Sequence, residues 1–304
     1  MIRDKNNKDF DTDKHIKNIE KTSKRIVAES LSTQPGIESE MKIKPLFDDD
    51  YPGADRLKNK VALITGGDSG IGRAVAIAFA KEGAKVAIVY LSEDEDAEYT
   101  KQIIESYNSE AILIKGNIQD FSFCNKAVEK TIKKFGRLDI LINNAAEQHP
   151  KRNILEISKE QLENTFKTNI YGMFYMTQAA IPYLREYSSI INTSSITAYE
   201  GNSGLIDYSS TKGAVTAFTR SLAENLAEKK IRVNQVAPGP IWTPLIPSTF
   251  DPNHVESFGN STAMGRAGQP IELVEAFIFF AWARASSYVT GQTIHVNGGR
   301  FISS

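Results

Sequence analysis

The stretch Lys60–Arg73, KVALITGGDSGIGR, constrains what this chain can fold into more than any other. Val61 to Ile64 is an apolar run without polar alternation, the pattern of a parallel strand buried on both faces, and glycine and serine crowd in straight after it. The order strand, glycine turn, helix follows. Gly66, Gly70 and Gly72 stand where a backbone must turn tightly, approach a ligand closely and pack against a neighbouring strand. A helix beginning near Ser69 points its free N–H groups and its positive end into that turn, which suits a pyrophosphate. A tight turn in any α/β domain could use the same glycines, so the distinction rests on what comes after it.

From Lys60 onward, β-rich runs alternate with helical patterns. Strands are predicted over Val61–Thr65, Lys85–Tyr90, Ala111–Gly116, Leu138–Asn143, Ser189–Thr193, Arg232–Ala237 and Thr293–Val296. Helices are predicted near Ile71–Glu82, Asp94–Tyr107, Phe121–Phe135, Lys159–Leu184, Tyr208–Ala227 and Pro270–Ala283. Such alternation means parallel strands joined by right-handed helical crossovers, hence α/β architecture: a single Rossmann-type, doubly wound, seven-stranded parallel sheet with helices on both faces. No second periodic block and no internal repeat interrupts residues 58–304, which form one domain on this reading. Ligands bind such sheets beyond the carboxyl ends of the strands, at the topological switch point, so the residues just after each strand are the candidates for a site.

Residues 1–57 differ. Lys, Asp, Asn and Glu are mixed with few apolar residues, a composition that cannot by itself bury enough surface to offset its ordering entropy. Asp13 to Leu31 has helical potential, and Gln34-Pro35-Gly36 and Tyr51-Pro52-Gly53 are turn signals. This polar N-terminal extension is either a disordered tail or a segment that wraps a neighbouring subunit; the sequence leaves both open.

Composition removes several function classes. The 304 residues are 41% hydrophobic, enough for a full core, while a net charge of −1 makes no long-range field for nucleic acid. The N-terminal MIRDKNNKDFDTDKH lacks an apolar h-region, and Ala276–Ala283, the longest strongly apolar run, is too short to span a bilayer. No targeting or membrane segment is expected, and the cytoplasm is the default compartment. The one cysteine, Cys124, excludes an intramolecular disulfide and shows no metal-ligand spacing with the four histidines, so no metal site is expected.

Thr65-Gly66-x-x-x-Gly70-Ile71-Gly72 resembles the TGxxxGIG turn of the short-chain dehydrogenase/reductase family rather than the GxGxxG of two-domain dehydrogenases. Asn143-Asn144-Ala145-Ala146 resembles the family's NNAG, with Ala146 in place of glycine, and Pro238-Gly239-Pro240-Ile241-Trp242-Thr243-Pro244 resembles its PG loop. The resemblance implies a nicotinamide dinucleotide held by Gly66, Asp68, Ser69, Gly70, Ile71 and Gly72, by Tyr90 and Leu91 after the second strand, and by Asn144, Ala145 and Ala146 after the fourth. It also implies contacts from Asn117 and Ile118, where the family usually has Asp-Val beside the adenine, and from Pro238, Gly239, Ile241 and Thr243 at the carboxamide. An Asn carbonyl can still accept from the adenine amino group, although an ordinary turn Asn would look the same. Dinucleotide sites discriminate after the second strand, where an acidic residue suits the ribose of NAD and Arg or Lys suits the phosphate of NADP. Neither Ser69 nor Leu91 is basic, and Asp68, Glu93 and Asp94 would repel a phosphate dianion, so NAD is favoured with NADP as the alternative.

The chemistry points to a set of four. Tyr208 and Lys212 are four apart on one predicted helix and project from the same face; theirs is the one Tyr-x-x-x-Lys in the chain. Ser195 precedes Tyr208 by 13 residues and sits just past an apolar strand, the family's spacing of catalytic serine and tyrosine. Hydride transfer between a carbinol and a nicotinamide also moves a proton, and a phenol of ordinary pKa near 10 is too weak a base at neutral pH without a cation beside it. Lys212 would favour the phenolate and hydrogen-bond the nicotinamide ribose, so both Tyr208 and Lys212 are cofactor contacts as well. Ser195 would hold and polarise the substrate oxygen. Asn169, within Thr168-Asn169-Ile170-Tyr171-Gly172, matches the asparagine that in the family supports a water-linked proton relay to the lysine. Ser194 is a decoy that only the spacing separates from Ser195.

The irregular stretch running to Gly268 fits a substrate lid, with Trp242, Phe250, Phe258 and Met264 available to exclude water, while His149 either faces the substrate mouth or is simply solvated. Phe277 to Trp282 reads as core or a subunit contact. The long extension, TGGDSGIG and the segment from Arg266 to Gly298 look like the bacterial general-stress, glucose/ribitol-dehydrogenase-like branch. That implies a homotetrameric NAD(P)-dependent oxidoreductase acting on a small alcohol, polyol, sugar or aldehyde. The rival is a non-catalytic dinucleotide-binding sensor or scaffold, which degraded catalytic positions would favour; here all four are intact.

Overall fold

A computed structural model describes residues 10–302; the first part of the polar N-terminal stretch, 1–9, and residues 303–304 lie outside the described residues. Among those described, seven strands form one all-parallel sheet: β1 (Val61–Thr65), β2 (Lys85–Tyr90), β3 (Ala111–Lys115), β4 (Ile140–Asn143), β5 (Ser189–Thr193), β6 (Arg232–Pro238) and β7 (Thr293–Val296). Their spatial order is β3-β2-β1-β4-β5-β6-β7. The chain winds outward from β1 to β3 and then returns to place β4 on the other side of β1, with Ile64 level with Ile88 of β2 and Ile142 of β4. The switch point therefore lies between β1 and β4.

Every residue of β1, β4, β5 and β6 is buried, which explains the unbroken apolar run of β1, while the polar residues of β5 and β6, among them Asn192, Arg232 and Asn234, are buried with hydrogen-bond partners. The pleat still divides their side chains. Ala62 and Ile64 belong to a core layer completed by α2 (Gly70–Lys81), α3 (Asp94–Ser106) and α10 (Val274–Ala281). Val61 and Leu63 face the other layer, built with α4 (Phe121–Phe135), α6 (Gly172–Ala180) and α8 (Ile206–Leu226). Phe277 and Phe280 are fully buried in the first layer, so the apolar segment near them is core.

Two predicted helices are broken in the structure. Lys159–Leu184 becomes α5 (Lys159–Phe166), a π-turn over Lys167–Tyr171, α6 and a 3-10 turn at Ile181–Tyr183. A π-turn accommodates one inserted residue while the chain stays helical on both sides of it, and Pro182, which lacks an N–H, lies in the final 3-10 turn. Pro270–Ala283 begins as a 3-10 turn, Pro270–Leu273, and after α10 breaks at Trp282, whose backbone is extended, before α11 (Ala283–Ser286). Two short helices have no predicted counterpart: α7 (Thr197–Glu200), between the fifth strand and the Tyr208 helix, and α9 (Pro252–Glu256), inside the stretch expected to be an irregular lid.

The extension packs along the body of its own chain. Its helix α1 (Thr12–Ser23) is capped by Asp11, which accepts from the Lys14 N–H. Its few apolar residues, among them Ile19, Ile26, Met41 and Leu57, are buried against the sheet domain. Arg56 fastens the far end by pairing with Glu82 and Glu275 at 2.7 Å each. Among the described residues no helix is long and apolar enough to cross a membrane, and no group of three or more His, Cys, Asp or Glu could hold a metal ion.

Candidate active site

A cleft of ≈ 660 Å³ opens along the carboxyl ends of the strands. Its floor is the glycine turn. Gly66 and Gly70 take positive φ angles, +61° and +51°, which side-chain-bearing residues rarely adopt. Gly72 sits behind the turn: a Cβ there would fall on the Gly66 carbonyl oxygen, so it lets the helix close up and is set back from the ligand-facing surface. Asp68, Ser69, Gly70 and Ile71 line the cleft at the start of α2, where backbone N–H groups lack intrahelical partners. Asn144 ties this turn to the tip of β4, its Nδ2 donating to the Thr65 and Gly66 carbonyls at 3.2 and 3.0 Å while its own N–H and that of Ala145 donate to Thr65 Oγ1. Thr193, at the tip of β5, donates to Asn144 Oδ1. Glu38 of the extension takes the Gly70 N–H at 2.7 Å while Ser69 makes no side-chain cap of its own, and the close-approach glycines with the remaining N–H groups of this helix start fit a dinucleotide pyrophosphate.

Tyr90, Leu91, Asn117 and Ile118 surround one end of the cleft, with Glu93 beside them. Asn117 Oδ1 accepts from the Gln119 N–H at 2.9 Å, the local turn bond expected of a turn Asn. Burial, with Glu93 adding repulsion, pushes the Asp68 carboxyl up to about 7. Asp94 stands apart from these two. It is held by Tyr90 Oη and Lys115 Nζ on the exposed side, and Lys115 above all keeps its carboxyl below the usual carboxylate range. Two acids, rather than the three expected from sequence, thus face the cleft here. Ala145 and Ala146 line the middle of the cleft, and Pro238, Gly239, Ile241 and Thr243 its opposite wall.

Ser195, Tyr208 and Lys212 converge on that middle region. Ser195 Oγ accepts from both the N–H and the hydroxyl of Thr197 at 3.1 Å, which leaves its own proton to donate into the cleft. Ser194 spends its hydroxyl on the Lys212 carbonyl and Thr216. Lys212 Nζ lies 5.5 Å from the Tyr208 ring centroid and donates to the Thr193 carbonyl at 2.8 Å. The expected lowering of the phenol by the lysine is not what the free protein shows. Burial pushes Tyr208 up to about 12 against the pull of the Ser195 hydrogen bond, and burial brings Lys212 down to about 8. At neutral pH the pair is a phenol with a proton to give and an ammonium.

Asn169 lies in the π-turn, buried and set back from the cleft; it clamps the backbone of Glu147 from both sides, accepting from its N–H at 2.8 Å and donating to its carbonyl at 2.9 Å, and donates to Thr211. The local widening places this side chain against the loop after β4, consistent with the frequency of such bulges at functional sites.

The lid residues divide. Phe250 and Phe258 line the cleft, Met264 is 66% exposed and points elsewhere, and Trp242 is fully buried with its indole N–H donating to Ile43 of the extension. His149 sits outside the cleft wall near Glu147, whereas His254 and Arg300, unmarked by any motif, line the cleft. Asp207 was also missed. Its carboxylate takes Gln161, Thr165 and the Tyr208 N–H, fixing α8 to α5 at the level of the tyrosine, and its adjacency to Tyr208 was the only available signal.

A family model of the short-chain alcohol-dehydrogenase type, described as enoyl-(acyl carrier protein) reductase, matches residues 66–300. General stress protein 39 of Bacillus subtilis is 58% identical over 92% of this chain and 98% of its own. NADPH-dependent aldehyde reductase 1 of Arabidopsis thaliana is 49% identical over 89% and 96%, and glucose and ribitol dehydrogenase of Daucus carota 47% over 89% and 95%. The crystal structure of 3-ketoacyl-(acyl-carrier-protein) reductase from Brucella melitensis complexed with NADH superposes with a TM-score of 0.75 at 36% identity, covering 81% of this chain and all of that one. On its sequence, its parallel sheet and its glycine turn alike, the chain belongs to the short-chain dehydrogenase/reductase family, oxidoreductases built on a nicotinamide-dinucleotide-binding fold.

Proposed function

We propose that this protein reversibly transfers a hydride between a nicotinamide dinucleotide and a small substrate, either an alcohol, polyol or sugar or the matching aldehyde or ketone. The observation that carries the reading is the convergence of Ser195, Tyr208 and Lys212 on one cleft that also contains the glycine turn. When bound, the nicotinamide supplies or accepts the hydride. Tyr208 supplies the proton to the carbonyl oxygen in reduction and takes it from the hydroxyl in oxidation, as general acid and base. Ser195, with its oxygen already occupied by Thr197, donates to the same substrate oxygen and steadies the charge that develops there. The Lys212 ammonium, steered by the Thr193 carbonyl, offsets charge on the phenolate, and Asn169 fixes the loop behind them.

Asp68 and Glu93 on the cleft wall favour NAD over the phosphate-bearing NADP; the relative from Arabidopsis named for NADPH keeps NADP as the alternative. The relatives named for aldehyde, glucose and ribitol support the substrate range. The exposed aromatic residues Tyr171 and Phe174, the latter packed on Phe218 of α8, offer a surface to a second copy, and the homotetramer is the assembly that the family resemblance implies. The test is the purified chain with NAD and with NADP against polyols, sugars and short aldehydes, followed by nicotinamide absorbance beside Tyr208→Phe. The variant is expected to bind dinucleotide and lose turnover; full activity in it would end the assignment, and dinucleotide binding without any turnover in the wild type would promote the sensor or scaffold.

A further inference from the structure

The substrate end of the cleft is closed partly by residues outside the family's sheet domain. Gln34, Pro35 and Gly36 of the extension line it. Gln34 makes a two-point contact with the backbone of Gln148, in the loop after β4: its Oε1 accepts from the Gln148 N–H at 3.0 Å and its Nε2 donates to the Gln148 carbonyl at 3.0 Å. The same Nε2 lies 3.2 Å from Thr249 Oγ1 in the lid, which the Gln148 side chain also reaches at 3.3 Å. Three segments far apart in the chain, the extension, the β4 loop and the lid, thus meet on one carboxamide. Leu31 adds a backbone bond to Pro247 of the lid at 2.8 Å.

We infer that Gln34 is a specificity-determining positioning residue: it holds the β4 loop and the lid at a fixed separation and so sets the size of substrate the cleft accepts. The chemistry of the contact is selective. Only a carboxamide offers an acceptor to the Gln148 N–H together with donors to the Gln148 carbonyl and Thr249; a carboxylate keeps the first and turns the second repulsive, and an aliphatic side chain keeps neither. Gln148 is 4% exposed, so its backbone groups have little access to water as a substitute. The residue is remote from Tyr208 in sequence and in role, so its loss should alter how substrate sits rather than how the proton moves. The inference rests on the hydride-transfer reading for its substrate, and on the clasp alone for its geometry.

The test compares the full-length wild type with Gln34→Leu and Gln34→Glu, in two measurements. Steady-state reduction of straight-chain aldehydes from propanal to decanal is expected to show, for Gln34→Leu, a KM for the short aldehydes raised about ten-fold with kcat within about three-fold, and a preference displaced towards longer chains, the loss of the three part-buried hydrogen bonds of Gln34 setting the scale. Gln34→Glu is expected to fall between. Dinucleotide affinity should not change. Hydrogen exchange read on peptides covering 146–150 and 245–252 is expected to quicken at least about ten-fold in Gln34→Leu. An unchanged KM and chain-length profile alongside quickened exchange would leave Gln34 a purely structural tie and overturn the inference. A wild type inactive on every aldehyde moves the same KM comparison to the polyols and sugars; one inactive on these as well would sink the hydride-transfer reading instead, and exchange would then decide the clasp: unaltered protection of the Gln148 peptide in Gln34→Leu would overturn it.

Discussion

Arg73 offers the sharpest test of how the extension is held. The guanidinium is buried with Glu38 of the extension and Asp96 of α3, all three about 2% exposed. It donates to Glu38 Oε1, to Asp96 Oδ1 at 3.0 Å and to the Asp68 carbonyl at 2.9 Å, and it lies 5.2 and 5.3 Å from the rings of Phe47 and Tyr99. Glu38 Oε2 in turn accepts from the Gly70 N–H at the start of α2. One cation thus serves two buried carboxylates. Arg73→Met strands both and should cost about 3–5 kcal/mol, the range for removing one partner of a buried pair. For a chain of this size that is a fall of roughly 5–8 °C in the melting temperature. Glu38→Gln keeps an acceptor for Gly70 and leaves Arg73 matched one-to-one with Asp96, so it should cost under about 1 kcal/mol. The two variants also part with pH. Burial raises the Glu38 carboxyl in the folded protein, with Asp96 adding to the rise against Arg73. A raised carboxyl contributes stability that is complete below its unfolded value and is lost as pH rises through its folded one. Without Arg73 that loss grows, so the deficit of Arg73→Met should shrink between about pH 8 and pH 5, whereas that of Glu38→Gln should not. Melting curves of both variants across this range decide it: equal destabilisation by the two, or a deficit in Arg73→Met independent of pH, would refute the reasoning.

Two further outcomes follow from the site. Gly72→Ala places a methyl on the Gly66 carbonyl and against Asn144 Nδ2, so the turn must shift; titration with dinucleotide should show affinity down at least about ten-fold with the fold, read by circular dichroism, retained. With Lys212 brought down to about 8 and Tyr208 held at about 12, reduction, which needs a charged lysine and a protonated phenol, should fall as pH rises through about 8. Oxidation, which needs the pair to have lost a proton, should rise through the same region, and pH–rate profiles in both directions would expose a mismatch.

Much of this was legible because the sheet is buried on both faces. A strand such as Val61–Thr65 has to be apolar throughout, and a turn such as Gly66 to Gly72 has to omit side chains, so both are written in residue type. The positions of Ser195, Tyr208 and Lys212 around one cleft follow from a strand tip and one helix face, which spacing specifies. The π-turn under Asn169 was hidden because both flanking segments are themselves helical, and α6 is apolar on most of its positions, so a shift in the phase of the pattern does not show. Thr197 carries no mark in its sequence, Asp207 only its adjacency to Tyr208 and Gln34 only a turn signal; the partners of Asp207 on α5 and of Gln34 in the β4 loop come near only in the folded chain. Trp242 was misplaced for a related reason: an aromatic residue beside a glycine-proline loop looks like a lid side chain, yet its N–H is claimed by Ile43, 199 residues earlier.

The extension shows why composition alone misjudges such segments. Residues before 58 have too few apolar side chains to form a core of their own. The lid, from Trp242 to Ala267, is in the same position, a long irregular stretch whose apolar residues need a partner. Ile26 and Met41 supply it, packing with Trp242, Ile246, Val255 and Ala267 into one small core that belongs to neither segment alone. Each offsets the ordering entropy of the other, and each would expose its apolar surface if the other were released. Order in the lid is therefore a property of the pair. The segment that composition marks as least able to fold is the one against which the substrate end of the cleft is built.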